Sequence, residues 1–310
     1  MHTVPITVKC IAQTRVNWPQ VIEWLETVGV KAPDTVKEQL TVGSDAGALI
    51  ALAGKRCYNS YEPHLNPNVS KIRSDMAEYL ENILKSGHGS VLEHATATFA
   101  IEGVTRVFTA EMNRHRAGVG ISEASLRYIR FDDIGYWLPE SLKPTTEELR
   151  LLRTSRGAGC VLANGPEGVP LQSIDASTAR GSTADEVSTN ALRRVLTQAV
   201  FARAFEEAEA SYRQLCDIWN IDGMTDFNQK KILTSMFRRI VPMGCSTGGV
   251  WTGNMRAWRH MLELRSSRHA EEEIRVVFNL IAEQLVAAEP MLFSDFTHTD
   301  GEWLPRYRKV

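Results

Sequence analysis

Cysteine is scarce and scattered in this chain. Five cysteines occur in 310 residues, and their number is odd. Neither a disulfide framework nor a zinc site of closely spaced thiolates fits that distribution, which is typical of a protein of the reducing cytoplasm. We therefore expect a cytoplasmic protein. The cysteines are Cys10, Cys57, Cys160, Cys216 and Cys245.

Long apolar runs and an excess of one charge are also missing. No run approaches the roughly 20 residues of a membrane span, and the N-terminal MHTVPITVKC lacks the basic and apolar segments of a secretory signal. We therefore expect no membrane association. Lys and Arg total 35 against 37 Asp and Glu, a net charge of −2 that argues against a general nucleic-acid binder. A hydrophobic fraction of 43% excludes disorder of the whole chain.

Apolar periodicity predicts a mixed α/β fold that is rich in helix and has few strands. β-branched and threonine-rich segments predict strands at Ile6–Ile11 and Ala95–Ile101. A break at Gly118–Ile121 and a short strand or loop at Ala124–Ile129 are also expected. Helical spacing of apolar residues predicts helices at Ala48–Tyr58, Ile72–Leu84, Val104–Arg116, Phe201–Trp219, Ile232–Ile240 and Ile274–Leu285.

Two stretches fit this pattern less well. Residues 12–45 are expected to be an extended N-terminal stretch, irregular or weakly helical. Residues 142–196 are rich in Gly, Ser, Ala and Thr, which predicts a long loop or insertion. Because neither repeats nor a clear linker are visible, we expect one domain over residues 1–310.

Basic side chains gather in NRHRAGVGISEASLRYIR (113–130). Glycine lets backbone N–H groups come close to a ligand, and arginine offers forked donors, so the segment suits a phosphate site. Ser125 and Arg127 are placed to hold one phosphate. The alternative is a solvated basic helix end that favours the helix dipole. The run that closes the predicted helix is Arg114, His115 and Arg116.

A second polar cluster lies in residues 250–275. The alternative here is a surface helix covered with ion pairs. Trp251 and Trp258 indicate partial burial of the same region, and a buried arginine needs an anionic or polar partner. The side chains spaced at about one helical turn are Asn254, Arg256, His260, Arg265 and His269.

A metal site is the weakest of the candidate sites. His88, Glu93 and His94 lie close together in the sequence, but a GHG turn followed by an isolated EH pair is a poor match to the ligand spacing of zinc sites. We therefore expect no metal.

Five motifs follow one another in a fixed order and, with the intervening helices, span most of residues 46–295. The RHR…ExSxRY pattern is highly specific, and the G-N-x-R-A-W run supports it independently. On these motifs the chain resembles the flavin-dependent thymidylate synthases, the ThyX family. The motifs are GKRCYNS (54–60), SGHGSVLEHATATF (86–99), NRHR…SEASLRY (113–128), RRIVPMG (238–244) and WTGNMRAWRHMLELRSSRHAEEEIR (251–275).

The resemblance implies an α/β, ThyX-like fold with a central antiparallel sheet and flanking helices. It implies a homotetramer whose active sites form between subunits. FAD would be the cofactor, NADPH its reductant and 5,10-methylenetetrahydrofolate the carbon donor, for methylation of the uracil 5-carbon, usually of dUMP to dTMP. Because the cofactor carries the hydride chemistry, no cysteine nucleophile is needed, and Cys57 and Cys245 are expected to be small buried residues.

The resemblance also assigns roles position by position. Arg265 matches the arginine that lowers the cost of ionising the uracil ring, and it is the catalytic residue that the resemblance names. The implied flavin contacts are Ser90, Arg114, His115, Arg116, Glu123, Asn254, Arg256 and His260. The implied substrate contacts are Glu111, Arg114, Glu123, Ser125, Arg127, Arg239 and Arg265.

The chain departs from the family pattern near the expected substrate. The segment Ala117–Ala124 is one residue longer than is usual between the RHR run and the signature serine. Glu111 stands where many members have Gln, and its carboxylate can accept a hydrogen bond from a sugar hydroxyl. One branch of the family methylates UMP for polyoxin-type nucleoside antibiotics, and these departures keep UMP open as the alternative to dUMP.

Two other classes of function are weighed against this one. A nucleic-acid binder would use the basic stretch 114–130, but the net charge of −2 and the lack of interleaved aromatic residues argue against it. A catalytically inactive homologue would not need the full set of arginines that the motifs retain.

Overall fold

The computed structural model describes residues 2–63, 65–69, 71–128, 131, 135–154 and 186–308 together with Val310. These residues form two compact units, and the chain passes between them several times. The expectation of a single domain over residues 1–310 stays a prediction. The larger unit, called the sheet unit, comprises Ile6–Glu102, Phe108–Glu123 and Gly248–Val310. The smaller unit, called the helical unit, comprises Met1–Pro5, Gly103–Val107 and Ala124–Thr247.

A four-stranded sheet is the main β structure. Its strands are β1 (Thr7–Gln13), β2 (Thr96–Thr105), β3 (Val119–Glu123) and β4 (Ser246–Asn254). They lie in the order β1-β2-β4-β3, and the pairs β1–β2 and β3–β4 are antiparallel. A second, two-stranded sheet pairs β5 (Phe296–Thr299) with β6 (Glu302–Pro305). The protein therefore has the expected α/β composition, with the antiparallel pairing that the resemblance implied.

Helices make up most of the described chain. They are α1 (Trp18–Thr27), α2 (Pro33–Leu40), α3 (Asp45–Tyr58), α4 (Met76–Lys85), α5 (Arg106–Met112), α6 (Thr146–Thr154), α7 (Glu186–Ile218), α8 (Phe227–Phe237), α9 (Met255–Arg265), α10 (Glu272–Ala288) and α11 (Pro290–Phe293). Short 3-10 helices lie at Gly89–His94, Glu140–Leu142 and Arg238–Ile240. Side-chain acceptors satisfy free N–H groups where several helices begin: Ser44 at α3, Asp75 at α4, Asp226 at α8 and Asn254 at α9.

The apolar face of α10 lies at the centre of the core of the sheet unit. The helix packs against β1 and α9. Trp258 of α9 joins this face to the sheet, because its ring lies 6.4 Å from Phe278 of α10 and 5.1 Å from Phe99 of β2. The stripe predicted for this helix is confirmed, since its five members are fully buried: Ile274, Val277, Phe278, Ile281 and Leu285.

The helical unit is built on the long helix α7. The Tyr212 ring of α7 meets Phe131 and Phe237 of α8 edge to face, with centroids 5.8 and 6.4 Å apart. Nearer the start of α7, Leu149 of α6 packs against Ala191 and Val195. Two apolar clusters therefore hold α6, α7 and α8 together.

Two expectations about irregular structure are wrong in part. Residues 12–45 contain the helices α1 and α2, both of which begin at or beside a proline that fits the first turn of a helix. The stretch 142–196 is helical at both ends, in α6 and in the first part of α7. The interior of that stretch, 155–185, lies outside the described residues.

The strand predictions are confirmed at β1 and β2 and wrong around the centre of the chain. The predicted helix at Val104–Arg116 is shorter at both ends, because β2 continues to Thr105 and α5 ends at Met112. The break expected at Gly118–Ile121 is wrong, because that segment contains the start of β3. Of the strand or loop expected at Ala124–Ile129, the described part is a loop with a turn at Ser125–Tyr128. The strand β4 was missed because STGGVWTGN carries three glycines, which weaken the sequence signal of a strand.

Within the described ranges, none of the helices combines the length and apolar character that crossing a membrane requires.

Arg259 is a buried cation of the sheet unit. Its Nη1 and Nη2 donate to Asp295 Oδ1 and Oδ2 at 2.7 and 2.8 Å, and both side chains are only 4% exposed. Nη1 also donates to the carbonyl of Leu292, and the guanidinium lies 4.8 Å from the Phe296 ring centroid. These contacts tie α9 to α11 and β5.

We expect Asp295→Ala to lower the free energy of unfolding by about 3–5 kcal/mol, because it leaves a buried guanidinium without its counterion. Urea denaturation followed by circular dichroism measures the change. Lys71→Gln is the control, since it breaks an exposed ion pair with Glu78 and should leave the urea midpoint unchanged. Equal midpoints for the two variants would contradict the prediction.

Candidate active site

A cavity of about 360 Å³ in the sheet unit lies beside the turn that follows α4. Ser90 and Arg256, two of the predicted flavin contacts, line it together with His88 and Tyr58. The Tyr58 and His88 rings stack with centroids 6.4 Å apart. The cavity has the size of an ordinary small-molecule site and combines aromatic faces with a cation and a hydroxyl, which suits a nucleotide.

Gly89 lets Arg256 lie against this turn. A Cβ at Gly89 would stand 2.8 Å from Arg256 Nε, closer than atoms pack. Arg256 Nη1 donates to Glu93 Oε1 at 2.6 Å, and both side chains are about half exposed. The anionic partner expected for Arg256 is therefore present, but the pair faces solvent rather than the core.

Asn254 and His260 lie on the same helix as Arg256. Asn254 Oδ1 accepts the N–H of Ala257 at 2.8 Å, so this side chain caps α9. His260 is exposed, one helical turn after Arg256. The structure thus gives Asn254 a structural role, and the flavin contacts of Asn254 and His260 stay predictions.

Arg265, at the last position of α9, is held by two groups of α5 and the turn that follows it. Arg265 Nη1 donates to Glu111 Oε2 at 2.7 Å, and Arg265 Nε donates to His115 Nε2 at 2.8 Å. The ring of His260 lies 6.5 Å from that of His115. Four residues that the sequence assigned to a site are therefore in one cluster, and the Arg265 side chain is 19% exposed.

His115 is neutral in this cluster. Its pKa is lowered from 6.5 to about 4, first by burial and then by the positive charges of Arg265, His260 and Arg114. A neutral imidazole can accept the Arg265 hydrogen bond at Nε2, whereas an imidazolium cannot. Arg265 is therefore fixed by one carboxylate and one neutral ring nitrogen.

Glu123 ends β3 and is bound by a residue that the sequence did not single out. Asn113 Nδ2 donates to Glu123 Oε2 at 2.8 Å, and Asn113 Oδ1 accepts the indole N–H of Trp251 at 3.2 Å. Trp251 is fully buried in β4, where its ring meets Phe108 edge to face at 5.7 Å.

The predicted phosphate binders Ser125 and Arg127 belong to the helical unit. They form one turn, in which Ser125 Oγ accepts the N–H of Arg127 at 3.4 Å. Arg106 donates from Nη2 to the carbonyl of Ala124 at 2.8 Å, and Thr234 of α8 donates to the carbonyl of Arg127 at 3.3 Å. Two backbone contacts thus hold the turn, while the Arg127 side chain is exposed.

The other predicted arginines are also exposed. Arg239 lies just after α8 and donates to the carbonyl of Ser235 at 3.2 Å. Arg114 and Arg116 lie in the turn between α5 and β3 with their side chains in solvent. Exposed guanidinium groups of this kind are available for a ligand, and their assigned roles stay predictions.

Comparison with known proteins decides the family. The family model described as "Thymidylate synthase complementing protein" matches residues 39–291. A flavin-dependent thymidylate synthase of Mycobacteroides abscessus is 30% identical over 302 residues, which cover 96% of this chain and 94% of that protein. The chain belongs to the flavin-dependent thymidylate synthase family. A relative of the same name from Mycolicibacterium gilvum is 28% identical over 95% of this chain and 91% of its own.

Two solved structures share the fold of this chain. The crystal structure of a UMP/dUMP methylase, PolB from Streptomyces cacaoi, bound with 5-Br dUMP, matches with a TM-score of 0.52 at 18% identity, covering 94% of this chain and 95% of that one. The structure of the same methylase bound with 5-Br UMP gives the same TM-score at 16% identity, covering 93% and 92%.

Family membership makes the chain an enzyme, a flavin-dependent methyltransferase of uracil. The expectation for Cys245 is confirmed, since it is fully buried and burial raises its pKa to about 11. The expectation for Cys57 is wrong, because this side chain is exposed and lines the cavity described above. Cys57 is at the end of α3, between Arg56 and Tyr58.

Sequence reasoning missed the side chains that support the assigned residues. Glu93 was weighed only as a metal ligand, although its place in the SGHGSVLEH motif was a signal. Asn113 stands next to the RHR run, and Tyr58 lies within GKRCYNS. Arg259 lies three residues after Arg256, and no sequence pattern reveals its pairing with Asp295, which is 36 residues away.

Protonation of His115 makes the free energy of unfolding depend on pH. Because the pKa is about 4 in the folded state and 6.5 ordinarily, the unfolded chain binds the extra proton between these values. The free energy of unfolding therefore falls as pH drops from 6.5 toward 4. We expect His115→Gln to lose less stability than wild type between about pH 7.5 and about pH 5, measured by urea denaturation. His269→Gln, a change at an exposed histidine, is the control and should leave the pH dependence of the free energy of unfolding as it is in wild type. If His115→Gln also showed the wild-type pH dependence, the lowered pKa of His115 would be disproved.

Proposed function

We propose that this chain methylates the 5-carbon of a uridine nucleotide, taking the carbon from 5,10-methylenetetrahydrofolate and using FAD reduced by NADPH. The proposed assembly is a homotetramer with shared active sites. The observation that carries the proposal is the clamped, fully charged Arg265 in a chain of this family. A cationic group fixed in advance stabilises a ring that gains negative charge without reorganising during the reaction.

The cavity beside the turn after α4 fits part of a flavin nucleotide. Gly89 lets Arg256 lie against the turn, the exposed Arg256 offers forked donors, and Tyr58 and His88 offer aromatic faces. Ser90 and Arg256 would hold the cofactor here. The remaining proposed contacts are Arg114, His115, Arg116, Glu123, Asn254 and His260. When bound, the reduced flavin supplies a hydride, chemistry that no side chain of the chain provides.

In this proposal Arg265 acts on the uracil ring. Its charge lowers the cost of ionising a ring nitrogen, and Glu111 and neutral His115 keep the guanidinium from rotating away. Ser125, Arg127 and Arg239 bind the nucleotide phosphate, where arginine forks match phosphate oxygens. Glu123 contacts both flavin and nucleotide.

The sugar preference depends on Glu111 in this proposal. Its carboxylate faces Arg265 and is 30% exposed, so it retains room for a second hydrogen bond. A ribose 2′-hydroxyl would donate such a bond, and a deoxyribose lacks it. This geometry supports UMP as the alternative substrate to dUMP.

The function is tested by turnover of dUMP and UMP side by side with FAD, NADPH and methylenetetrahydrofolate. We expect a yellow protein whose flavin absorbance band bleaches when NADPH is added. Formation of the 5-methylated product should require FAD, NADPH and methylenetetrahydrofolate. A protein that cannot be loaded with FAD, or that leaves both nucleotides unmethylated, would overturn the proposal.

The same assay tests the role proposed for Glu111. We expect Glu111→Gln to lower the UMP-to-dUMP ratio of kcat/KM by about fivefold, because a hydrogen bond to an amide is weaker than one to a carboxylate. An unchanged ratio would show that Glu111 does not contact the sugar.

We expect Arg265→Ala to lower kcat by about 10²-fold or more, since it removes preorganised charge at the ring. The flavin dissociation constant, measured by FAD titration, should stay close to that of wild type. Arg268→Ala, which removes an exposed arginine nearby in the sequence, is the control and should retain turnover. A loss of flavin affinity as large as the loss of kcat would place Arg265 at the cofactor instead.

A further inference from the structure

Asn113 lies between two groups of different character. One is the carboxylate of Glu123, to which Asn113 Nδ2 donates at 2.8 Å; the other is the indole of Trp251, whose N–H donates to Asn113 Oδ1 at 3.2 Å. The amide thus uses its donor end and its acceptor end at once. An amide held at both ends cannot rotate without breaking a hydrogen bond.

The Trp251 end of this chain of hydrogen bonds is rigid. Trp251 is 0% exposed, and its ring packs edge to face against Phe108. Indole N–H is a donor only, so its orientation dictates which end of the Asn113 amide faces it. The carbonyl end of Asn113 must face Trp251, and the NH₂ end is therefore directed at Glu123.

The pairing of β3 with β4 brings Glu123 close to the Trp251 indole. Glu123 of β3 lies opposite Gly249 of β4. A Cβ at Gly249 would stand 3.0 Å from Glu123 Cα, 3.0 Å from Trp251 Cη2 and 2.4 Å from the Ser122 carbonyl oxygen. Because Gly249 has no Cβ, the Trp251 indole and the end of β3 can lie close to each other.

We propose that Asn113 is a positioning residue, which transmits the fixed orientation of the buried Trp251 indole to the ligand-binding carboxylate of Glu123. The proposal rests on the proposed function, in which Glu123 contacts flavin and nucleotide. In this inference Asn113 acts through Glu123, because its hydrogen bond sets the rotamer of that carboxylate. A carboxylate fixed before binding loses less conformational entropy when the ligand arrives.

A second tryptophan–asparagine pair in the protein provides a matched control for the hydrogen bonds of Asn113. Trp303 Nε1 donates to Asn279 Oδ1 at 2.9 Å, and Asn279 Nδ2 donates to the Arg275 carbonyl at 3.0 Å. This is the same tryptophan–asparagine pair, but its amide continues to a backbone carbonyl rather than to a carboxylate. Trp303→Phe therefore removes an equivalent hydrogen bond without reaching the proposed site.

The test measures the dissociation constants of UMP and dUMP for the FAD-loaded protein, from the change in flavin absorbance, and the urea midpoint of each variant. We expect Asn113→Asp to raise the nucleotide dissociation constant about tenfold, because it sets two carboxylates against each other. Trp251→Phe should raise the nucleotide dissociation constant about threefold. Trp303→Phe should leave the dissociation constant unchanged, although its urea midpoint should be similar to that of Trp251→Phe.

A change at Glu123 separates positioning from general loss of structure. In a Glu123→Gln background, the carboxylate introduced by Asn113→Asp would accept a hydrogen bond from the new amide. Adding Asn113→Asp to that background should therefore change the dissociation constant by less than about twofold. An equally large effect of Asn113→Asp in both backgrounds would overturn the inference, and so would equal effects of Trp251→Phe and Trp303→Phe. A wild-type protein that binds neither FAD nor nucleotide would instead overturn the proposed function, and with it the role of Glu123.

Discussion

The fixed charge of Arg265 is the constraint on which the rest of the candidate site depends. A guanidinium has five donors and no acceptor, so its orientation is set entirely by the acceptors around it. Here those acceptors are a carboxylate, Glu111, and a ring nitrogen of His115. Because the imidazole is neutral, it orients Arg265 without repelling it. The cluster thus holds a positive charge in place while leaving 19% of the side chain exposed.

The fold provides this geometry by bringing α5 and α9 together. Glu111 lies in α5 and His115 in the turn after it, whereas Arg265 ends α9, about 150 residues later in the chain. Helix α9 is itself fixed by the cap at Asn254 and by the buried pair of Arg259 with Asp295. The same helix therefore uses one arginine for stability and presents Arg256 and Arg265 for chemistry. Burial separates the roles, since Arg259 is 3% exposed while Arg256 is half exposed.

The sequence predicts the long amphipathic elements well and the connections between them poorly. The stripe of α10 was visible because five apolar residues recur at helical spacing over one buried face. The strand β4 was hidden because glycines at 248, 249 and 253 remove side chains where the structure needs close approach. The first part of α7 was hidden because it directly follows a Gly-, Ser- and Thr-rich stretch, although Ala191, Val195 and Ala199 recur at helical spacing.

The candidate site was predictable as a set of residues and not as a set of contacts. The motifs indicated Arg265 and His115, a departure from the family pattern indicated Glu111, and the structure brings all three together. What the motifs could not indicate is that Glu111 pairs with Arg265, or that Asn113 connects Glu123 to Trp251. These contacts join residues up to 154 positions apart, and their donor–acceptor match depends on the fold.

Ionisation of a bound uracil ring is the most direct measurement of what the Arg265 charge does. A 5-fluoro uridine nucleotide ionises at its ring nitrogen with a change in ultraviolet absorbance, which can be titrated free in solution and bound to the FAD-loaded protein. With Arg265 in place, the bound ring should ionise at lower pH than the free nucleotide, and Arg265→Ala should abolish the difference while the nucleotide stays bound. A bound ring that titrates like the free one in the wild-type protein would contradict a role for Arg265 in stabilising the ring anion.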